Sequence, residues 1–73
     1  MNGDRWKLEQ WPGGQAARYP TEKDLRDGIA HAVDLKRQQR TKAKRLVVSV
    51  SENGRRWRTV EQHDLGALAR AAR

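Results

Sequence analysis

The run RLVVSVSENGRRWRTV, residues 45–60, constrains the fold more than any other segment. Asn53-Gly54 sits between two stretches in which apolar and polar residues alternate. An Asn-Gly pair in that setting signals a β-hairpin, because a type I′ turn needs positive φ at both central residues. A two-residue loop fixes the expected register. Val50 then faces Trp57, Ser49 faces Arg58, Val48 faces Thr59 and Val47 faces Val60. Leu46, Val48, Val50 and Trp57 fall on one side of the hairpin, and Ser49, Ser51, Arg56 and Arg58 on the other. Trp57 is therefore assigned to the core. Arg56 and Arg58 project from the solvated face, as ordinary edge protection or as a bidentate clamp for carboxylate or phosphate.

The other elements arrange themselves around this hairpin. In RWKLEQW, Trp6 and Leu8 point one way and Arg5, Lys7 and Glu9 the other, as in a half-buried strand. Pro12-Gly13-Gly14 is a turn signal, and QAARY after it is expected to return as a short paired strand. A helix follows from about Glu22 to Gln38, with Thr21 as N-cap, Asp24 three residues later, and Glu22 and Asp24 at the positive end of the dipole. Leu25, Ile29, Ala32, Val33 and Leu35 form its apolar stripe, and Gly28 beside them marks close packing on the sheet. KRQQRTKAKR, residues 36–45, has no apolar face and is read as helix end running into a flexible linker. A short last helix begins after Asp64, with Leu65, Leu68, Ala69 and Ala72 at helical spacing. The expected class is α+β: one domain over residues 1–73, with a small antiparallel sheet, one long helix across it and a short C-terminal helix. Mean hydropathy is −1.07, so the core must be small, and the three tryptophans are expected to supply much of it.

Formal net charge is +7, which favours an anionic partner. The first 35 residues carry five Lys/Arg against six Asp/Glu, a balance of −1, and the remainder carries eleven against three, or +8. The basic surface thus belongs to the second half, and the mixed charge of the first half suits a protein partner. There is no cysteine, which excludes a disulfide framework, a thiolate metal site and a cysteine nucleophile. Asp27, His31 and Asp34 share a helix edge but read as a solvated flank rather than metal ligands. No phosphate loop or Ser-His-Asp arrangement is present, and the expectation is neither an enzyme nor a cofactor carrier. MNGDRWKLEQWPGG has no apolar run, so neither a signal peptide nor a membrane span is expected there.

Two groups of candidate contact residues remain. Trp11 and Tyr19 flank the Pro-Gly-Gly turn, with Arg18 next to them, either as a small satellite cluster or as an anchor for a protein partner. They join Arg56 and Arg58 as candidate partner-binding residues. Lys36, Arg37, Arg40, Lys42, Lys44 and Arg45 form the basic run that would lie near nucleic acid.

The opening MNGDRWKLEQWPGG, the helix TEKDLRDGIAHAVDLKRQQR and the hairpin RLVVSVSENGRRWRTV, taken with the length, resemble the small RNA polymerase-binding transcription regulator of a lytic Xanthomonas phage. The resemblance spans the whole chain. It implies an α+β monomer, acting in the host bacterial cytoplasm. It implies contact with host RNA polymerase at the N-terminal region of the β′ subunit, with initiation inhibited at host promoters and termination suppressed. Nascent RNA or an elongation factor are further partners it allows. It supplies no individual contact residues. The rival reading is a DNA- or RNA-binding module using a basic hairpin face.

Overall fold

The computed structural model describes residues 3–71. The elements follow in the order β1 (Trp6–Trp11), β2 (Gln15–Tyr19), α1 (Glu22–Arg37), β3 (Arg45–Val50), β4 (Arg58–Asp64) and α2 (Leu65–Ala71). The strands form one antiparallel sheet in the order β2-β1-β3-β4. Fold class is thus α+β, with α1 packed across the sheet and α2 a short helix at the end. Ala72, expected in the last helical stripe, lies outside the described residues.

Alternation along the strands sorts the side chains. Leu8 pairs with Val48, Trp6 with Val50 and Gln10 with Leu46. Leu25 and Ala32 of α1 and Leu65 of α2 join Leu8, Leu46, Val48 and Ala43 to make the buried core. Trp6, Tyr19, Ile29, Val33 and Leu68 pack around it. Leu35, expected on the apolar stripe, is half-buried outside this cluster.

The buried core is wholly aliphatic, which corrects the expectation that tryptophans build it. Trp6 is half-buried at the rim, Trp11 is exposed, and Trp57 lies outside the core cluster. The reason is the close approach of α1 to the sheet. A Cβ at Gly28 would lie 2.7 Å from Cζ of Tyr19 and would run into its hydroxyl. Leucine, valine and alanine fill the space under so close a helix, and the large rings are left to its margins.

Both ends of α1 are fixed locally. The Thr21 hydroxyl accepts the Asp24 N–H at 3.2 Å, the expected N-cap. At the other end, Gln39 N–H donates to the Lys36 carbonyl at 3.0 Å and Arg40 N–H to the Leu35 carbonyl at 2.9 Å. This is a Schellman closure, with Gln39 at φ 57 in the left-handed position usually held by glycine.

The segment that follows is not a flexible linker. Lys36 Nζ donates to the Ala43 carbonyl at 2.8 Å, and Ala43 N–H to Thr41 Oγ1 at 3.2 Å. Lys44 N–H donates to the Trp11 carbonyl at 2.7 Å, and Leu65 N–H to the Lys44 carbonyl at 2.9 Å. Ala43 is buried in the core, so residues 40–44 are pinned along their length.

The second hairpin departs from its expected register. Val50 pairs with Arg58, Ser49 with Thr59, Val48 with Glu61 and Leu46 with His63. The connection is a seven-residue loop, 51–57, in place of a two-residue turn. Gly54 has positive φ at 78 but Asn53 does not, so the turn is not type I′. The physical reason lies in two side chains. Ser51 Oγ accepts the Gly54 N–H at 2.7 Å and the Asn53 N–H at 3.4 Å. Asn53 Oδ1 accepts Arg55 N–H at 2.8 Å and Arg56 N–H at 3.2 Å. These bonds replace the ladder that a tight hairpin would have continued. A bulge then places Val60 between Thr59 and Glu61.

Gly28→Ala tests the helix approach. Alanine improves helix propensity by about 1 kcal/mol, but overpacking against Tyr19 opposes it with about 1–3 kcal/mol. The expected result is a lower urea midpoint with an unchanged slope. A higher midpoint would mean that the Tyr19 ring yields easily.

Candidate functional site

The shift in register decides where the candidate contacts go. Trp57 moves off the core side and onto the sheet face that carries no helix. There Lys7 Nζ lies 4.8 Å and Arg18 Cζ 5.3 Å from the centroid of a Trp57 ring. Lys7 and Arg18 are themselves a cross-strand pair, so two cations from neighbouring strands hold the indole by cation–π attraction. The loop is thereby folded back over the sheet. The assignment of Trp57 to the core is overturned.

Arg56 and Arg58 do not share a solvated strand face. Arg56 belongs to the loop, and Arg58 stands opposite Val50 on the helix side. They are still brought together, because both line a groove of about 300 Å³ with Val50, Glu52 and Asn53. A second groove of about 440 Å³ adjoins it. Trp6, Val50 and Val60 give this one its apolar lining, and Arg5, Arg58, Glu52 and Glu61 its charges. Val60, pushed out by the bulge, is 43% exposed. The two grooves make one continuous feature at the loop end of the sheet.

The remaining candidates separate. Tyr19 faces α1 and packs on the core against Gly28, while Arg18 beside it is exposed on the opposite face. Trp11 is 39% exposed at the far end of β1. Among the basic residues, Lys36 is held by the Ala43 carbonyl, and Arg37 Nε donates to the Ala69 carbonyl at 3.2 Å. These two staple α1 to its neighbours. Arg40, Lys42, Lys44 and Arg45 stay exposed. Arg40 and Lys42 line a groove of about 330 Å³ with Gln10, Pro12 and Gly13.

One charged network joins helix to sheet beside the loop-end groove. Arg26 donates to both Glu61 carboxylate oxygens, at 2.8 and 2.5 Å, and to Glu22 at 3.1 Å. His63 Nε2 lies 2.8 Å from Glu61 Oε1. Hydrogen bonds from Arg26, then from His63, hold the Glu61 carboxyl down at about 2. The same pairing, with Glu61 first and Glu22 second, holds the Arg26 guanidinium above its ordinary range. This pair fixes Glu61 in place and leaves Glu52 as the carboxylate of the groove with no ion-pair partner among the described residues.

Among the described residues, no three His, Cys, Asp or Glu side chains are grouped to hold a metal, and no helix is long and apolar enough to cross a membrane. Set against known proteins, the chain matches no family model, no curated protein and no solved structure.

The sequence reading did not find the groove lining of Arg5, Trp6, Glu52 and Val60, or the Lys7–Trp57–Arg18 stack. Only the pairing of Lys7 with Arg18 was within reach, since it follows from the Pro-Gly-Gly turn.

Two outcomes follow from the placements. Trp57→Ala should leave a folded protein that is less stable by roughly 1–2 kcal/mol, the worth of two partly exposed cation–π contacts. Denaturant unfolding measures it, and global unfolding would return Trp57 to the core. Glu61 contributes stability above its ordinary value of 4.5, and that stability is lost as the pH falls toward about 2. Glu61→Gln should therefore be less stable at pH 7 by about 1 kcal/mol, modest because the pair is partly solvated. It should also lose less stability than the parent between pH 5 and 2, read from thermal melts across that range.

Proposed function

We propose that this chain is a non-catalytic regulator that binds bacterial RNA polymerase, inhibits initiation at host promoters and suppresses termination. The identity of the partner rests on the resemblance in the sequence, which also implies the N-terminal region of β′ as the surface touched and the host cytoplasm as the place. The observation that supports a protein partner is the composition of the loop-end groove. Its apolar lining of Trp6, Val50 and Val60 is bordered by Arg5, Arg56 and Arg58 and also by Glu52. Apolar area with aromatic and arginine anchors is what protein interfaces use at their centres. A phosphate backbone would gain little from the apolar lining and would be repelled by Glu52. The rival reading, a nucleic-acid module built on Arg56 and Arg58, is weakened on both counts.

The loop that carries Arg56 is held by four hydrogen bonds from backbone N–H groups to Ser51 and Asn53. A guanidinium on so well-ordered a support loses less freedom on binding than one on a loose loop. The expected signature of its loss is faster dissociation rather than slower encounter.

The test is capture of polymerase subunits from bacterial lysate by the immobilised chain, with and without nuclease, followed by binding kinetics on purified polymerase. Arg56→Ala combined with Arg58→Ala should raise the dissociation rate by about thirtyfold or more, corresponding to about 2 kcal/mol. Capture that vanishes with nuclease, or kinetics untouched by the double substitution, would sink this reading.

A further inference from the structure

The opposite end of the sheet carries a different kind of surface. Trp11 closes β1 there with its indole 39% exposed. The ring lies against Gly14, where a Cβ would come within 3.2 Å of two ring carbons, so the absence of a side chain makes room for it. The Trp11 carbonyl accepts the Lys44 N–H at 2.7 Å, and Arg45 is the cross-strand partner of Trp11. The Schellman closure of α1 sets the start of the same segment, and Arg40 and Lys42 line the groove beside Pro12 and Gly13. Four cations thus lie at the same end of the sheet as one exposed aromatic ring, with Arg45 beside it on the neighbouring strand. None of the four is in an ion pair among the described residues. Asp64 is paired across the strands with Arg45, and its Oδ1 already accepts the Ala67 N–H at 3.0 Å.

The geometry points to a second binding site here, for single-stranded nucleic acid, with a base stacked on Trp11 and the phosphates held by Arg40, Lys42, Lys44 and Arg45. The chemistry is that of single-strand recognition, in which cations track the backbone and an aromatic side chain takes a base face. A duplex keeps its base faces stacked inside and gives Trp11 nothing to hold. Nor is a helix presented for a groove, since α1 and α2 both lie on the sheet. Lys36 and Arg37, although basic and adjacent in sequence, are outside the site because backbone carbonyls hold them.

The site is tested on the full chain without any polymerase, so its outcome is independent of the protein partner. The probes are a fluorescently labelled oligouridylate and an oligothymidylate of about a dozen nucleotides, long enough for one small domain, with a duplex of equal length for comparison. Binding of either single strand more tightly than the duplex, with quenching of tryptophan fluorescence, is expected, and the tighter of the two identifies RNA or DNA as the natural strand. Trp11→Ala should weaken binding about tenfold, and Trp11→Phe should recover most of it. Lys42→Ala with Lys44→Ala and Arg45→Ala, all exposed, should reduce the dependence of log affinity on log salt by about 2. Equal binding of duplex and single strand, or a Trp11→Ala protein that binds as well as the parent, would reduce the site to general charge attraction and overturn it. So would a triple variant with an unchanged salt slope.

Discussion

Leu8 opposite Val48 is the contact on which the rest of the structure depends. It joins β1 to β3, two strands separated in sequence by a hairpin and a helix. That pairing turns two hairpins into one sheet. Each hairpin alone would be marginal in water, because two strands cannot bury a face. Joined through their centres, they offer one aliphatic face for α1 and α2 and leave the other open. The six-residue strands β1 and β3 lie fully paired in the middle, and the ladder ends on each side in an edge strand.

The single long helix then secures both edges. On one side Gly28 receives the ring of Tyr19 from β2. On the other Arg26 grips Glu61 of β4. These residues are two apart on α1, so they point in different directions around the helix axis and reach opposite edges. The contacts differ in kind. Steric fit against Tyr19 is indifferent to pH, whereas the Arg26–Glu61 pair loses its charge balance in acid. Acid should therefore loosen the β4 side first, the side that carries the loop-end groove.

What could be read from the sequence was what is decided locally. Thr21 caps α1 through a bond spanning three residues, and Asp64 caps α2 in the same way. Pro12-Gly13-Gly14 sets the first hairpin, and the apolar stripe of α1 follows from its spacing. The second hairpin failed because Ser51 and Asn53 compete for the backbone N–H groups that a tight turn would have used. The resulting shift of one residue sent Trp57 through the sheet to the other face. The bulge at Val60 then restored the original parity, which puts Glu61 on the helix side, where it meets Arg26. The groove and the basic cluster were illegible for a different reason. Each is assembled from segments far apart in sequence, Arg5 with Arg58 and Trp11 with Lys44. The basic run also looked uniform until hydrogen bonds divided it into two staples and four exposed cations.

The two surfaces lie at opposite ends of β1 and β3, and this separation bears on how they work together. Five steps of about 3.3 Å from Trp6 to Trp11 set them roughly 17 Å apart, about two Debye lengths at physiological salt. A partner seated against Trp6 and Val50 therefore leaves Trp11 and its cations sterically clear and electrostatically almost unscathed. The two sites should bind additively when their ligands are free in solution. When the ligands are parts of one assembly, the second contact becomes intramolecular, and even weak single-strand binding gains from a high effective concentration. The advantage exists only where protein surface and strand are presented about one sheet-length apart. The rigid span between the loop end and the turn end would then act as a ruler, admitting assemblies with that spacing and giving no avidity to others.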